Sequence, residues 1–451
     1  MITTSFRILR SSMFLLLFLW PTLATSQDLA PLFAPATSQE MVLVENDWAR
    51  RSTEPSNAAI DRTVMMEGFR MQRISFHLDN LHQYGVLRYP KDFTPGQKFP
   101  VLMLLHGGFS GFWFNFPLNF DADYTSGCLA DSFFVVCPTY RGEDLAGGDL
   151  GNVSSEGEPS VWDRDCDDSM AMLTAVLSLV PELDPDRVTA HGGSRGGNVA
   201  YHMAVRDPRV KRTVVLFGPS QFRQADIQSE CQDHIDGIAQ AQSSLAIKVI
   251  SEIIEPWNAG QLTLFEARHL LTAWSICDFL PPEIQLQVHH GLADEIVLPV
   301  HSFLVAEQME EVGGDNANFA LHTYPDGNHN PSSLVGHDIL VEDFLCSYEE
   351  PFSANPPMQT GLILKVWPNP FYGHLNVLVQ ASSDADKTSA SYWGEVIDLR
   401  GHRVGLFEVI VGREISWPAH DLQGRPLPSG QYRLQVVGHP DFASRQIVLL
   451  R

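Results

Sequence analysis

The chain has 451 residues, 44% of them hydrophobic and 10% aromatic, enough apolar material for large packed cores and too much for global disorder. Against 30 Lys and Arg stand 54 Asp and Glu, a formal charge of −24. That balance excludes nucleic acid as the main partner, because a phosphate backbone needs a basic footprint.

At the N-terminus, Arg7 and Arg10 precede an apolar run over 13–20, Pro21 breaks it, and Ala24, Thr25 and Ser26 supply small residues. The run is too short to span a bilayer, so residues 1–26 read as a cleaved export signal, and no membrane span is expected after cleavage. The protein is therefore expected to be secreted, extracellular or at the cell surface. Export permits disulfides among Cys128, Cys137, Cys166, Cys231, Cys277 and Cys346. Pairing of Cys128 with Cys137 and of Cys231 with Cys277 is the expectation, beside the reading of all six as small buried hydrophobes. No zinc-like Cys spacing occurs, and neither metal nor organic cofactor is expected.

Residues 27–70 are polar and irregular, read as a leader or edge segment. From residue 71 to 348 the pattern is that of an α/β domain. Segments 73–78 and 84–89 flank a short polar link, predicting an antiparallel pair. The runs at 100–105 (PVLMLL) and 133–137 (FFVVC) are continuous and apolar, as strands buried on both faces of a parallel sheet must be. Short strands follow at 187–190, 213–217, 285–288 and 319–324, with helical spacing at 169–179, 198–205 and 300–312. That alternation predicts a mostly parallel, doubly wound sheet. Residues 219–284 interrupt it with helical sequence too long for a connection, read as a cap over one end of the sheet. Residues 349–359 are Pro-rich and polar, a linker, and 360–451 read as a small β-sandwich of short strands and Gly/Pro turns.

The strongest chemical signal is GGSRGG at 192–197, directly after a strand and before a helix. In that context a GxSxG pattern holds Ser194 at a tight turn, exposes its hydroxyl, and lets the backbone N–H of Arg195 face an oxyanion. A serine hydroxyl needs a base, and the base needs an orienting group. His329, in YPDGNHN, follows the strand 319–324; it is preferred to His337 and His322 by position. Asp294, in HHGLADEIV, also follows a strand and is preferred to Asp326, whose YPDG context is that of a turn. HGG at 106–108 follows the strand 100–105, so Gly107 or Gly108 is expected to complete the oxyanion hole with Arg195.

These blocks, together with PTYRGE at 138–143, DPDRV at 184–188, HGLAD at 290–294 and GNH at 327–329, resemble an α/β-hydrolase, most closely the catalytic domain of the prolyl oligopeptidase family. The resemblance implies Ser194 as nucleophile, Asp294 as orienting acid and His329 as base, working through an acyl-enzyme on a peptide or ester. About 70 residues precede the catalytic part, too few for the β-propeller usual in peptidases of that family. His106 stands near where several of them use a tyrosine hydroxyl. Substrate contacts are expected from His106, Phe109, Trp113, Tyr140 and Arg141, with the aromatic stretch 109–116 as a candidate pocket wall. The Arg195 side chain reads either as a partner for a substrate carboxylate or as a solvated group. WDRDCDD at 162–168 lacks the Gly and Glu of a calcium loop, and its acids suit a helix N-terminus.

The function expected is that of a secreted serine peptidase. A carboxylesterase acting on polysaccharide or small esters, and a non-catalytic binding protein on a hydrolase scaffold, are the alternatives. The tail, VWPNPF, WGEVIDLRGHRV and DLQGRPLPSGQYRLQVV in order, resembles the C-terminal sorting domain of the type IX secretion system, which implies that machinery as a partner. Its nine basic and eight acidic residues leave it nearly neutral, so the negative charge belongs to the catalytic part.

Overall fold

The computed structural model describes residues 28–109, 111–113, 127–313, 318–347, 362–367, 371–381, 391–398, 403–410, 412–421, 425–436 and 445–450. The export signal, the linker at 349–359 and residues 110 and 114–116 of the aromatic stretch lie outside the described residues.

Nine strands form one sheet: β1 (Ser56–Met66), β2 (Phe69–Leu78), β3 (Leu81–Arg88), β4 (Phe99–Leu105), β5 (Phe134–Thr139), β6 (Leu183–Gly193), β7 (Val210–Leu216), β8 (Gln285–Gly291) and β9 (Phe319–Tyr324). Their order is β1-β2-β3-β5-β4-β6-β7-β8-β9. From β5 to β9 every neighbouring pair is parallel, while β1, β2, β3 and β5 pair antiparallel at one edge. Every residue of β4 and β5 is buried, which is why both are continuous apolar runs. Helices Arg164–Leu179, Arg195–Arg206 and Val300–Gly313 pack on one face, and Gly127–Ser132 with His337–Cys346 on the other. The expected doubly wound α/β architecture is the one observed. The polar link of the predicted hairpin is the two-residue turn Asp79-Asn80, both at positive φ (53° and 65°), the conformation that matches strand twist.

Residues 28–66 depart from the irregular leader expected of them. Helix Ser38–Arg50 starts in a capping box made by Thr37 and Glu40 and buries Val44 and Trp48 against the main core. Leu29, Leu32 and Phe33 enter the core of the cap, and β1 adds an edge strand. The apolar residues are few, but helical spacing puts them on one face.

The insertion at 219–284 is helical as expected, with helices Ala225–Ile235, Ser244–Val249 and Leu264–Trp274 sharing a separate core with Trp162. The disulfide expectation is corrected: Cys128 bonds Cys346, while Cys137, Cys166, Cys231 and Cys277 are free and buried. The bond joins the short helix before β5 to the last helix of the domain, a pairing 218 residues apart that local spacing does not reveal. Toward the C-terminus, a three-stranded sheet and a five-stranded sheet enclose a core that includes Leu364, Val377, Val396, Trp417, Leu434 and Ile447. Among the described residues, no helix is long and apolar enough to cross a membrane.

Candidate active site

Strand order places the site. The chain moves from β4 to β5 on one side, then returns to β6 on the other, so the loops leaving β4 and β6 diverge. That reversal opens a crevice at the carboxyl ends of the strands. HGG leaves β4, Ser194 leaves β6, Asp294 follows β8 and His329 follows β9, and all four meet there.

Ser194 sits at φ 55° and ψ −125°, a strained backbone for a residue with a Cβ, at the head of helix Arg195–Arg206. Its N–H donates to the Leu216 carbonyl at 3.0 Å, which ties the turn to β7. The flanking glycines are required by close approach. A Cβ on Gly192 would lie 2.1 Å from the Gly196 oxygen, and one on Gly196 would lie 2.0 Å from the Leu105 oxygen.

His329 Nε2 lies 3.0 Å from Ser194 Oγ, and its Nδ1 lies 2.7 Å from Asp294 Oδ2. The other Asp294 oxygen accepts the N–H groups of Ile296 and Val297 at 2.9 and 3.1 Å. Burial pushes the Asp294 pKa up, but the imidazoles of His290 and His329 outweigh it and hold the carboxyl well below its ordinary value. An ionised carboxylate only accepts, so Nδ1 of His329 carries the proton and Nε2 is left to accept from the serine hydroxyl. The three residues expected to form the triad are thus brought into one hydrogen-bonded chain.

Two supports for the triad escaped sequence reasoning. His290 packs beside Asp294, its Nε2 2.8 Å from the Val297 carbonyl and 3.5 Å from Asp294 Oδ2. Its four-residue spacing from Asp294 was the available signal. Phe217, at φ 40°, lays its ring 4.4 Å from that of His329; nothing in its sequence context marks it.

Gly107 and Gly108 line the crevice beside Ser194, and the Arg195 N–H, first in its helix, has no intrahelical acceptor. The Arg195 side chain corrects both expectations for it. It is buried, donating to both oxygens of Asp165 at 2.7 and 2.9 Å, to Glu143, and to the Gly108 carbonyl at 2.9 Å. It is neither solvated nor open to a substrate carboxylate. The acids of WDRDCDD are likewise taken up by arginines rather than by the helix dipole alone: Asp165 by Arg195, Asp167 by Arg206 and Arg51, Asp168 by Arg141.

A cavity of about 520 Å³ opens over Ser194. His106 and Phe109 line it as expected, together with Trp162, Leu245 of the cap, Ile296 and Val297. Tyr140 and Arg141 do not line it. Tyr140 is fully buried with its hydroxyl on the His106 carbonyl, and Arg141 is locked to Asp168. The Trp113 side chain lies outside the described residues. Among the described lining residues there is no carboxylate, and the one guanidinium is already matched by two acids. Among the described residues no cluster of His, Cys, Asp and Glu is arranged to hold a metal ion.

No family model matches the chain, and no curated protein is similar to it in sequence. In fold it is similar to an acetyl xylan esterase of Paenibacillus sp. R4, at 15% identity and a TM-score of 0.49, over 71% of this chain and 100% of that one. It is similar also to acetyl xylan esterase 1 of Thermoanaerobacterium sp. JW/SL YS485, at 18% identity and a TM-score of 0.47, over 71% and 98%. An acylaminoacyl peptidase of Pyrococcus horikoshii matches at 17% and 0.44, over 63% of this chain and 42% of that one. The chain's own strand order, with the Ser194 turn between β6 and the helix that follows, is that of an α/β-hydrolase fold.

Proposed function

We propose that this protein is a serine hydrolase of carboxylic esters, working through an acyl-enzyme at Ser194. The carrying observation is the Ser194–His329–Asp294 chain, with bond lengths of 3.0 and 2.7 Å, at the mouth of an apolar cavity. Ser194 Oγ attacks the ester carbonyl carbon as its proton passes to His329 Nε2, and the carbonyl oxygen becomes an oxyanion facing the N–H groups of Arg195 and the HGG loop. Collapse expels the alcohol, which takes the proton from His329. Water then repeats the sequence on the acyl-serine, His329 accepting its proton, and the carboxylic acid leaves. Asp294 stays ionised and holds the imidazolium in place.

The cavity wall favours ester over peptide. Its apolar residues, Phe109, Trp162, Leu245, Ile296 and Val297, suit an acyl chain, which supports the ester reading. The test is a panel of p-nitrophenyl acyl esters against peptidyl p-nitroanilides with residues 27–451. Ester turnover with little amide turnover is expected; amide hydrolysis of similar efficiency would return the assignment to a peptidase.

The tail is read as a type IX sorting domain on its sequence resemblance, with the mature enzyme outside the cell. A fluorescent protein carrying residues 1–26 and 360–451 at its two ends should reach the medium or cell surface of a type IX-competent bacterium. Equal export from a strain lacking that machinery would refute the reading.

A further inference from the structure

Three consecutive carbonyls in the loop after β4 have side-chain partners. Tyr140 donates its hydroxyl to the His106 oxygen at 3.3 Å, His106 Nδ1 lies 3.1 Å from the Gly107 oxygen, and Arg195 Nη1 donates to the Gly108 oxygen at 2.9 Å. In a trans peptide the carbonyl and the next N–H point in opposite directions. Fixing those three oxygens therefore aims the N–H groups of Gly107, Gly108 and Phe109 the other way. The partners are themselves immobilised. Arg195 is clamped by Asp165 and Glu143 and lies 4.7 Å over the Tyr140 ring, which stacks on the His106 imidazole with centroids 4.2 Å apart. A carbonyl only accepts, so Nδ1 of His106 carries the proton, and burial with the nearby Arg195 charge keeps that ring neutral, its pKa pushed down to about 3.

We infer that the side chains of Tyr140 and Arg195 are positioning residues for the oxyanion hole, setting the peptide planes of the HGG loop by holding its carbonyls. Arg195 then serves the hole twice. Its own N–H is one donor, and its guanidinium orients the loop that supplies the other. The role rests on the serine hydrolase reading above. It also explains why a guanidinium next to the nucleophile is buried rather than offered to substrate, and why it needs two carboxylates: without them its charge would stand uncompensated in an apolar wall.

Tyr140→Phe and Arg195→Lys test it, assayed with p-nitrophenyl butyrate and with phenylboronic acid, whose tetrahedral adduct on Ser194 places an oxygen in the hole. Loss of a whole oxyanion donor typically costs 10²- to 10³-fold in kcat, and misdirecting one is expected to cost about tenfold. Both variants should lose about tenfold in kcat at unchanged KM, and bind the boronate about tenfold more weakly. Tyr140→Phe removes one oxygen and keeps the ring, so it carries the test if Arg195→Lys fails to fold. A folded Tyr140→Phe with wild-type kcat and boronate affinity overturns the inference, as does a loss that falls on KM alone. A wild-type protein that neither turns over esters nor binds the boronate removes the reading beneath it, an outcome separable from either.

Discussion

At the residue scale, catalysis depends on which proton sits where. Asp294 is held ionised by two imidazoles and two backbone N–H groups, and that charge selects the His329 tautomer able to receive the serine proton. Asn at 294 is nearly isosteric but its amide can donate, which favours the opposite tautomer. Asp294→Asn should therefore fold normally and lose about 10⁴-fold in kcat with little change in KM. Steady-state kinetics on the variant would check it, and near-wild-type turnover would remove Asp294 from its role. Ser194, Asp294 and His329 were legible in the sequence because each follows a strand in the chain order this fold uses. Tyr140 and Arg141, expected at the substrate, lie in the packed interior against the His106 carbonyl and Asp168. Polar and aromatic residues in a loop look the same in sequence whether they face a cavity or an internal ion pair, and only packing distinguishes them.

At the element scale, the strands were legible because burial on both faces demands unbroken apolar runs. β4 and β5 supply them. The N-terminal helix was not legible. Its sequence SQEMVLVENDWAR buries only Val44 and Trp48, too sparse a pattern to separate from a polar leader, although Thr37 and Glu40 do spell its capping box. The cap was legible by length, but its contribution of Leu245 to the cavity follows from tertiary packing alone. The Cys128–Cys346 bond was hidden for the same reason. Its partners meet only because the helices before β5 and after β9 share one face of the sheet. A cross-link closing so long a loop restricts the unfolded chain by about 5 kcal/mol on the chain-entropy account.

For the whole molecule, the buried imidazoles set the response to acid. Burial lowers the pKa of His106, His191 and His301 to about 3 and of His322 to about 4, and drives those of His202 and His289 well below the ordinary value. Below the ordinary histidine value of about 6.5 the unfolded chain binds protons that these rings refuse until pH reaches their own values. Stability therefore falls as pH drops through that window. Glu143 and Asp168, raised by burial to about 7 and about 6, act in the opposite sense, because the folded state keeps protons that the unfolded state has shed. Asp278 and Glu307, raised by burial as well, act with them, and these four groups do not offset six. The unfolding temperature is expected to fall steadily from pH 6.5 to 4.5 by calorimetry, and a flat profile would show that these rings titrate normally.

Hydrolysis by this protein rests on Ser194 as a nucleophile activated by His329. The most direct measurement is reaction of the wild-type protein with a fluorophosphonate, followed by peptide mass spectrometry to locate the adduct. The predicted result is one adduct, on Ser194, that is lost in Ser194→Ala and slowed severely in His329→Ala. An unlabelled wild type, or labelling that survives Ser194→Ala undiminished, would contradict the account.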